Sequence, residues 1–490
     1  MDSADQWPQL SPEEKLAHRW ASFVEAPVEF VSPRAEATYR ARATRLRKAI
    51  LLEGTPDRVP VCALTHFFPG RTKGLTPYDA MYDYERAADA WLHSNLDLQP
   101  DSIMGPLFAA IPGRAYDILD VRILNWPGHG VPMDVGFQYN EAEWMRADEY
   151  DLLIDDPTDF LLHVYLPRVA TGLEGFANLV APMDMIEIVT APTYWMRWAS
   201  PEVQTSLEKL VAAGRECGAW GAAMFPMLGR LVAEGLPGPV GAMSKAPFDI
   251  IGDTLRGTRG ILLDMFNQPD ALLEACDRLA RVAIKWVTRQ ATPQSPPMVF
   301  IPLHKGADGF MSEEQYRKFY WPSLRTVILG LIEDGFTPYL FAEGSYNTRL
   351  ETIRDIPPGR AVWQFDRTDM RRAKQSLEGV ACIQGNVPSS LLNLGTPEDV
   401  EAYCRDLIET VGPGGGFILD GGAVIDEAKE ENVRAMIRAA KEYGAYWERK
   451  PSRGSQNGSA LMVPGEEPPA PPSDLLGPRA EPAGGHPAER

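Results

Sequence analysis

The chain has 490 residues, 44% of them apolar and 23% charged, which excludes a wholly disordered or collagen-like polymer. Its net charge of −19 would be repelled by phosphate backbones and anionic lipid, so neither nucleic acid nor a membrane is expected as a main partner. Five cysteines, none in a C-x-x-C pair, argue against a disulfide framework or structural zinc and for a reducing compartment.

In chain order, the acidic start MDSADQWPQLSPEEK has no apolar core of the signal-peptide kind, and a cytoplasmic location is expected. Ser11-Pro12-Glu13-Glu14 is a helix start: a Ser cap, Pro in the first turn, and acids facing the positive helix end. Residues 35–51 read as a second, Arg-rich helix, so 1–48 is expected to form a helical arm. Apolar runs then alternate with amphipathic stretches. Strands are predicted at 58–64, 177–181, 298–303, 338–341, 361–364, 380–384 and 417–419. Helices are predicted at 77–96, 201–217, 258–266, 269–291, 312–334, 397–411 and 426–443.

The second half repeats strand, turn, helix without interruption, the pattern of parallel βα units. No glycine-rich dinucleotide fingerprint follows the first strand, and Gly414-Gly415-Gly416 precedes a strand rather than following one. The expected fold is a single (β/α)8 barrel of the TIM type over 49–450. The last stretch, 451–490, is rich in Pro, Gly, Ser and Glu and is expected to be a disordered tail.

A barrel places its chemistry where strands end. His66 and Arg71 follow the first run; His304 and Asp308 follow 298–303; Glu343 follows 338–341. Asp366, Asn386 and Asp420 follow the last three. Each has a plainer reading beside the functional one. The histidines can be satisfied loop residues, Asp366 and Asp420 helix caps, and Asn386 a turn former. Arg71 can be a surface charge, and Tyr316, Phe319, Tyr320 and Trp321 read as packing.

Several strings then stand together. Glu53-Gly54-Thr55-Pro56-Asp57-Arg58-Val59-Pro60-Val61 opens the barrel region, and Ala246-Pro247-Phe248 leads to Leu255-Arg256-Gly257. SEEQYRKFYWP starts at Ser312; Gly385-Asn386-Val387-Pro388 precedes Leu394-Gly395-Thr396-Pro397-Glu398-Asp399-Val400; and Gly415-Gly416-Phe417-Ile418-Leu419 leads to Glu431-Asn432. In this order the set resembles the uroporphyrinogen decarboxylase superfamily over roughly residues 48–446. That superfamily holds the haem-pathway decarboxylase and the corrinoid-dependent methyltransferases.

The resemblance implies a (β/α)8 barrel with a deep cleft at the strand C-termini, and homodimers are usual. The decarboxylases' R-Q-A-G-R motif falls on Phe67-Phe68-Pro69-Gly70-Arg71, where only the second Arg is matched. Their catalytic Asp falls near Phe108, their active-site Tyr on Asp253, and their late histidine on Gly422. The thiol-directed methyltransferases hold zinc with an H-x-C-G string and a later Cys. Here those strings read Phe341-Ala342-Glu343-Gly344 and Gly421-Gly422.

The leading expectation is therefore methyl transfer to or from a corrinoid carried by a partner protein. His304, Asp308, Glu343 and Asp253 are the candidate catalytic groups, and Arg71, His66, Asn386 and Asp420 the candidate substrate contacts. A rebuilt divalent-metal site, such as zinc, would use His304, Glu343 and Asp366. The alternatives are a carboxy-lyase acting on uroporphyrinogen or another carboxylated substrate, and a non-catalytic tetrapyrrole binder.

Overall fold

The computed structural model describes residues 7–105 and 109–446. The expected tail, 451–490, and Phe108 lie outside the described residues. Two helices open the chain. Ser11 caps the first, Pro12–Glu25, by accepting from the Glu14 N–H at 3.2 Å, while the Glu14 carboxylate takes the Ser11 N–H at 2.8 Å. Ser32 caps the second, Pro33–Ile50. Both lie against the N-terminal ends of the sheet strands. The Trp20 indole donates to Thr337 Oγ1 at 3.1 Å, and the Arg19 guanidinium donates to the Thr292 and Asp334 carbonyls. Trp20, Tyr39, Leu46 and Ile50 share one buried cluster with Met298, Phe300, Tyr339, Val362 and Ile418. The arm thus plugs the end of the barrel opposite the strand C-termini.

The sheet has six parallel strands in chain order: β1 Val240–Met243, β2 Met298–Leu303, β3 Thr337–Ala342, β4 Val362–Phe365, β5 Cys382–Gln384 and β6 Phe417–Ile418. Alternate residues face opposite ways. Phe300, Tyr339 and Val362 turn toward the plugging helices, whereas Val299, Ile301, Leu340, Trp363 and Ile383 pack in the main hydrophobic core with the flanking helices. Burial on both faces is why these strands are continuous apolar runs in the sequence.

Among the described residues, six regular strands stand where the expected barrel has eight. Two extended segments span the gap through single hydrogen bonds. Cys62 N donates to Leu419 O and Leu419 N to Pro60 O, both at 2.9 Å; Asp101 N donates to Val61 O at 2.8 Å, and Ile103 N to Pro237 O at 2.9 Å. Pro60, Pro100, Pro237 and Pro239 fall in these stretches, and a proline has no N–H for a ladder. The predicted strand at 58–64 is therefore a run of isolated bridges.

Other elements depart from expectation for local reasons. Residues 177–181 are not a strand; Thr171–Asn178 is a tight 3-10 stretch whose Gly175 lies hard against the Glu202 carbonyl. The helix expected at 201–217 runs on through three glycines and Pro226 as Pro201–Ala233, because Met224, Met227 and Leu231 bury against the Tyr84–Leu98 region. The helix at 77–96 is two, Pro77–Tyr82 and Tyr84–Leu98, with Asp83 capping the second. β1 and a small sheet of Leu124–Pro127, Gly130–Val131 and Gln138–Tyr139 were not foreseen.

Candidate active site

Three strand ends converge on one imidazole. β1 runs through Lys245 into Pro247–Asp249 and then a π-helical turn, Ile250–Leu255, which carries Asp253. β2 ends at Leu303, so His304 and Lys305 are the first residues beyond it. Glu343 is the first residue after β3. The His304 Nδ1 lies 2.6 Å from Asp253 Oδ2, and its Nε2 lies 3.8 Å from Glu343 Oε1. The Asp253 carboxylate also takes Lys245 Nζ at 2.8 Å and Lys305 Nζ at 3.1 Å. Lys305 reaches Thr258 Oγ1 at 2.8 Å as well.

Asp249, one helical turn before Asp253, fixes the backbone of this group. Its carboxylate accepts from the His304 N–H at 2.9 Å, the Lys305 N–H at 3.0 Å and the Tyr320 hydroxyl at 2.7 Å. Tyr320 sits in a second π-helical turn, Tyr316–Tyr320. Such turns reorient side chains that a regular helix would stagger, and they are frequent at functional sites.

The electrostatics follow from this packing. Burial works against a charged Asp253, but the hydrogen bond from His304 and the ammonium of Lys245 hold it well below the usual carboxylate range. Burial also works against a charged His304; Asp253, Asp249 and Glu343 outweigh it and raise the imidazole above its ordinary value. Glu343 moves opposite to Asp253. Burial lifts its pKa, His304 opposes the shift, and repulsion from Asp249, Asp253 and Asp366 adds to it. An aspartate with a lowered pKa, an imidazole with a raised one and a glutamate with a raised one stand in line. The outer end is reachable: the Glu343 side chain is 44% exposed and that of His304 33%.

The remaining sequence candidates are placed elsewhere or already engaged. Asp308 ties its loop to the next one, accepting from Ser345 Oγ and Thr348 Oγ1, each at 2.7 Å. Asp366 accepts from the Gly344 N–H at 3.0 Å. The Asn386 amide donates to the Asp366 and Thr368 carbonyls, joining two loops. Asp420 is fully buried and lines an internal cavity with Tyr339 and Gln384. His66 and Arg71 make their ion-pair contacts with Asp426, at 3.6 and 3.5 Å, and not with the His304 group.

Sequence reasoning missed Lys245, Asp249 and Tyr320 as parts of the site. Asp249 and Asp253 stand four residues apart, a spacing that puts both on one helical face. Lys245 follows a strand that the sequence did not reveal.

The expected metal set of His304, Glu343 and Asp366 does not fit. Among the described residues, no group of three or more His, Cys, Asp or Glu could hold a metal ion. The physical reason is local: one imidazole nitrogen is committed to Asp253, and two lysine ammoniums already supply the cationic charge beside it.

Comparison with known proteins finds relatives for part of this chain. Residues 228–443 match the family model described as uroporphyrinogen decarboxylase (URO-D). A uroporphyrinogen decarboxylase of Coxiella burnetii is 22% identical over 183 residues, 36% of this chain and 49% of that protein. One from Trichodesmium erythraeum is 26% identical over 200 residues, 40% of this chain and 54% of that protein. The methylcobamide:CoM methyltransferase MtbA of Methanosarcina mazei is 28% identical over 131 residues, 26% of this chain and 37% of that protein. The chain thus matches about half the length, or less, of these curated relatives. A solved methyltransferase from Methanosarcina mazei shares the fold, with a TM-score of 0.53 at 15% identity, covering 82% of this chain and 98% of that one. Residues 228–443 are thus similar to uroporphyrinogen decarboxylase, and parts of the chain are similar both to decarboxylases and to a methylcobamide:CoM methyltransferase.

Proposed function

We propose that this chain is a methyl-transfer enzyme in which the line Asp253–His304–Glu343 does by proton transfer what zinc does in thiol-directed relatives. The observation that carries the reading is the His304 imidazole set between two carboxyl groups of opposite bias at the strand ends. Glu343, protonated, donates to the heteroatom of a methyl donor as its bond to carbon breaks, so the product leaves neutral. The carboxylate that remains is stabilised by the His304 imidazolium, which Asp253 holds in place. In the reverse direction Glu343 removes the acceptor's proton. A corrinoid on a partner protein, when bound, supplies the cobalt centre that takes up or gives back the methyl group. The exposed Glu343 suits a cofactor too large to enter the barrel. The similarity to a methylcobamide:CoM methyltransferase supports the same reading.

The test pairs purified protein with reduced cobalamin and a panel of methyl ethers, thioethers and methylamines, and follows the corrinoid absorption spectrum. Glu343→Gln is expected to slow methylation by roughly 10²–10⁴-fold, the usual worth of a positioned acid or base. Methyl transfer from the donor should also fall as pH rises through the raised pKa of Glu343. Equal rates in the wild type and Glu343→Gln would refute the role. The second reading, a carboxy-lyase, draws on the Lys245 and Lys305 ammoniums beside Asp253 and on the decarboxylase relatives. Release of carbon dioxide from uroporphyrinogen with no change in the corrinoid spectrum would favour it.

A further inference from the structure

The strand ring encloses a cavity of about 340 Å³ on the side where regular pairing is lost. Proline replaces ladder donors there, and the wall between Cys62 and Val240 is left loosely knit. Most of the wall is apolar, with Ile50, Met298, Val232 and Ile418 among its residues. Asp420, Tyr339, Gln384 and Thr65 supply polar groups to it.

Those polar groups are unevenly satisfied. Asp420 Oδ1 accepts from the Leu64 N–H at 3.1 Å and the Gly421 N–H at 2.6 Å, whereas Oδ2 takes one described donor, Gln384 Nε2 at 2.7 Å. Gln384 Nε2 also donates to the Tyr339 hydroxyl, which in turn donates to Gln364. Thr65 is 2% exposed, and its hydroxyl has no hydrogen-bond partner among the described residues. A buried hydroxyl of this kind costs stability unless something pairs with it. Burial raises the Asp420 carboxyl to about 6, so it is mostly ionised at neutral pH and a strong acceptor.

We propose that this cavity is a binding site for a small, largely apolar molecule bearing one hydroxyl group, which donates to Asp420 and has Thr65 as its second polar contact. The volume lies at the small end of ligand pockets, roughly 300–1,000 Å³, and the few polar groups in an apolar wall are the pattern such pockets share. The site does not rest on the reading of the barrel mouth. Among the described residues, its polar groups make no hydrogen bond to Asp253, His304 or Glu343.

The probes are 4-propylphenol and propylbenzene, which differ by the hydroxyl, titrated calorimetrically into the full-length protein. The phenol should bind at least tenfold tighter than propylbenzene at pH 7.5. Its affinity should fall as pH drops through about 6, where Asp420 takes up a proton, while that of propylbenzene stays level. Val232→Trp, which fills the cavity, should abolish binding of both, and Asp420→Asn should remove most of the preference for the phenol. No binding of the phenol, equal and pH-independent affinities, or unchanged binding in a folded Val232→Trp protein would each overturn the proposal. Should either variant fail to fold, the wild-type pH series decides.

Discussion

Replacing Asp253 by Asn is the sharpest probe of the strand-end cluster. The wild-type carboxylate meets three cations, His304 at 2.6 Å, Lys245 at 2.8 Å and Lys305 at 3.1 Å. The Asp253 and Lys305 side chains are nearly buried, so the variant leaves ammonium groups short of a counter-charge. Removing one partner of a buried pair costs about 3–5 kcal/mol. The low end, about 3 kcal/mol, is expected here, because His304 is partly solvated and Glu141 and Asp249 remain nearby. The pH dependence has a definite sign. Pairing raises the His304 pKa above its unfolded value, so its stabilisation is complete below about 6.5 and is lost as pH rises through the folded-state value. Asp253 is depressed, so its contribution is present above the unfolded carboxylate pKa and is lost only in acid. The stability difference between wild type and variant should therefore be greatest near pH 6 and smaller in alkali, where the lysine contacts still contribute. Urea unfolding at several pH values measures this. Histidine ring NMR, assigned with His304→Gln, should show the His304 titration moving down in Asp253→Asn. A stability loss below about 1 kcal/mol at pH 6, or an unmoved His304 titration, would refute the coupling.

Two further outcomes test how the barrel is built. Trp20→Ala should cost about 3–5 kcal/mol in chemical unfolding, because it empties a fully buried indole site and strands the Thr337 hydroxyl; a cost under about 1 kcal/mol would mean that the arm does not plug the barrel. Asp420, raised from 3.8 to about 6 by burial, favours the protonated fold, so its contribution is complete below pH 3.8 and is lost as pH rises through 6. Wild-type stability relative to Asp420→Asn should fall by roughly 3 kcal/mol over that range, and a flat difference would contradict the burial of this carboxyl.

Much of the second half was legible because its signals are local. β2 and the Pro397–Val411 helix lie where periodicity put them, since each is a strong pattern bounded by its own caps. His304 and Glu343 could be picked out because a βα repeat sends its strand-end residues to one mouth. The first half was harder to read. β1 is four residues, VGAM, with weak alternation, and prolines disguise the segments that complete the ring. With β1 unseen, Lys245 and Asp249 had no strand end to belong to.

Composition, caps and repeat pattern by themselves determined that this chain builds parallel βα units behind an N-terminal pair of helices, and that polar groups gather where the strands end. Only the tertiary structure decided which of those groups lie together. Two π-helical turns bring Asp253 and Tyr320 into the cluster, and Lys245 and Lys305 set their ammoniums against Asp253. Asp308 and Asn386 are spent on tying loops, and Asp420 lines an internal cavity. The reason is distance: a sequence pattern fixes which face a residue takes within its own element. Many of the partners that set its charge come from other elements, as with Asp253 and His304, separated by 51 residues.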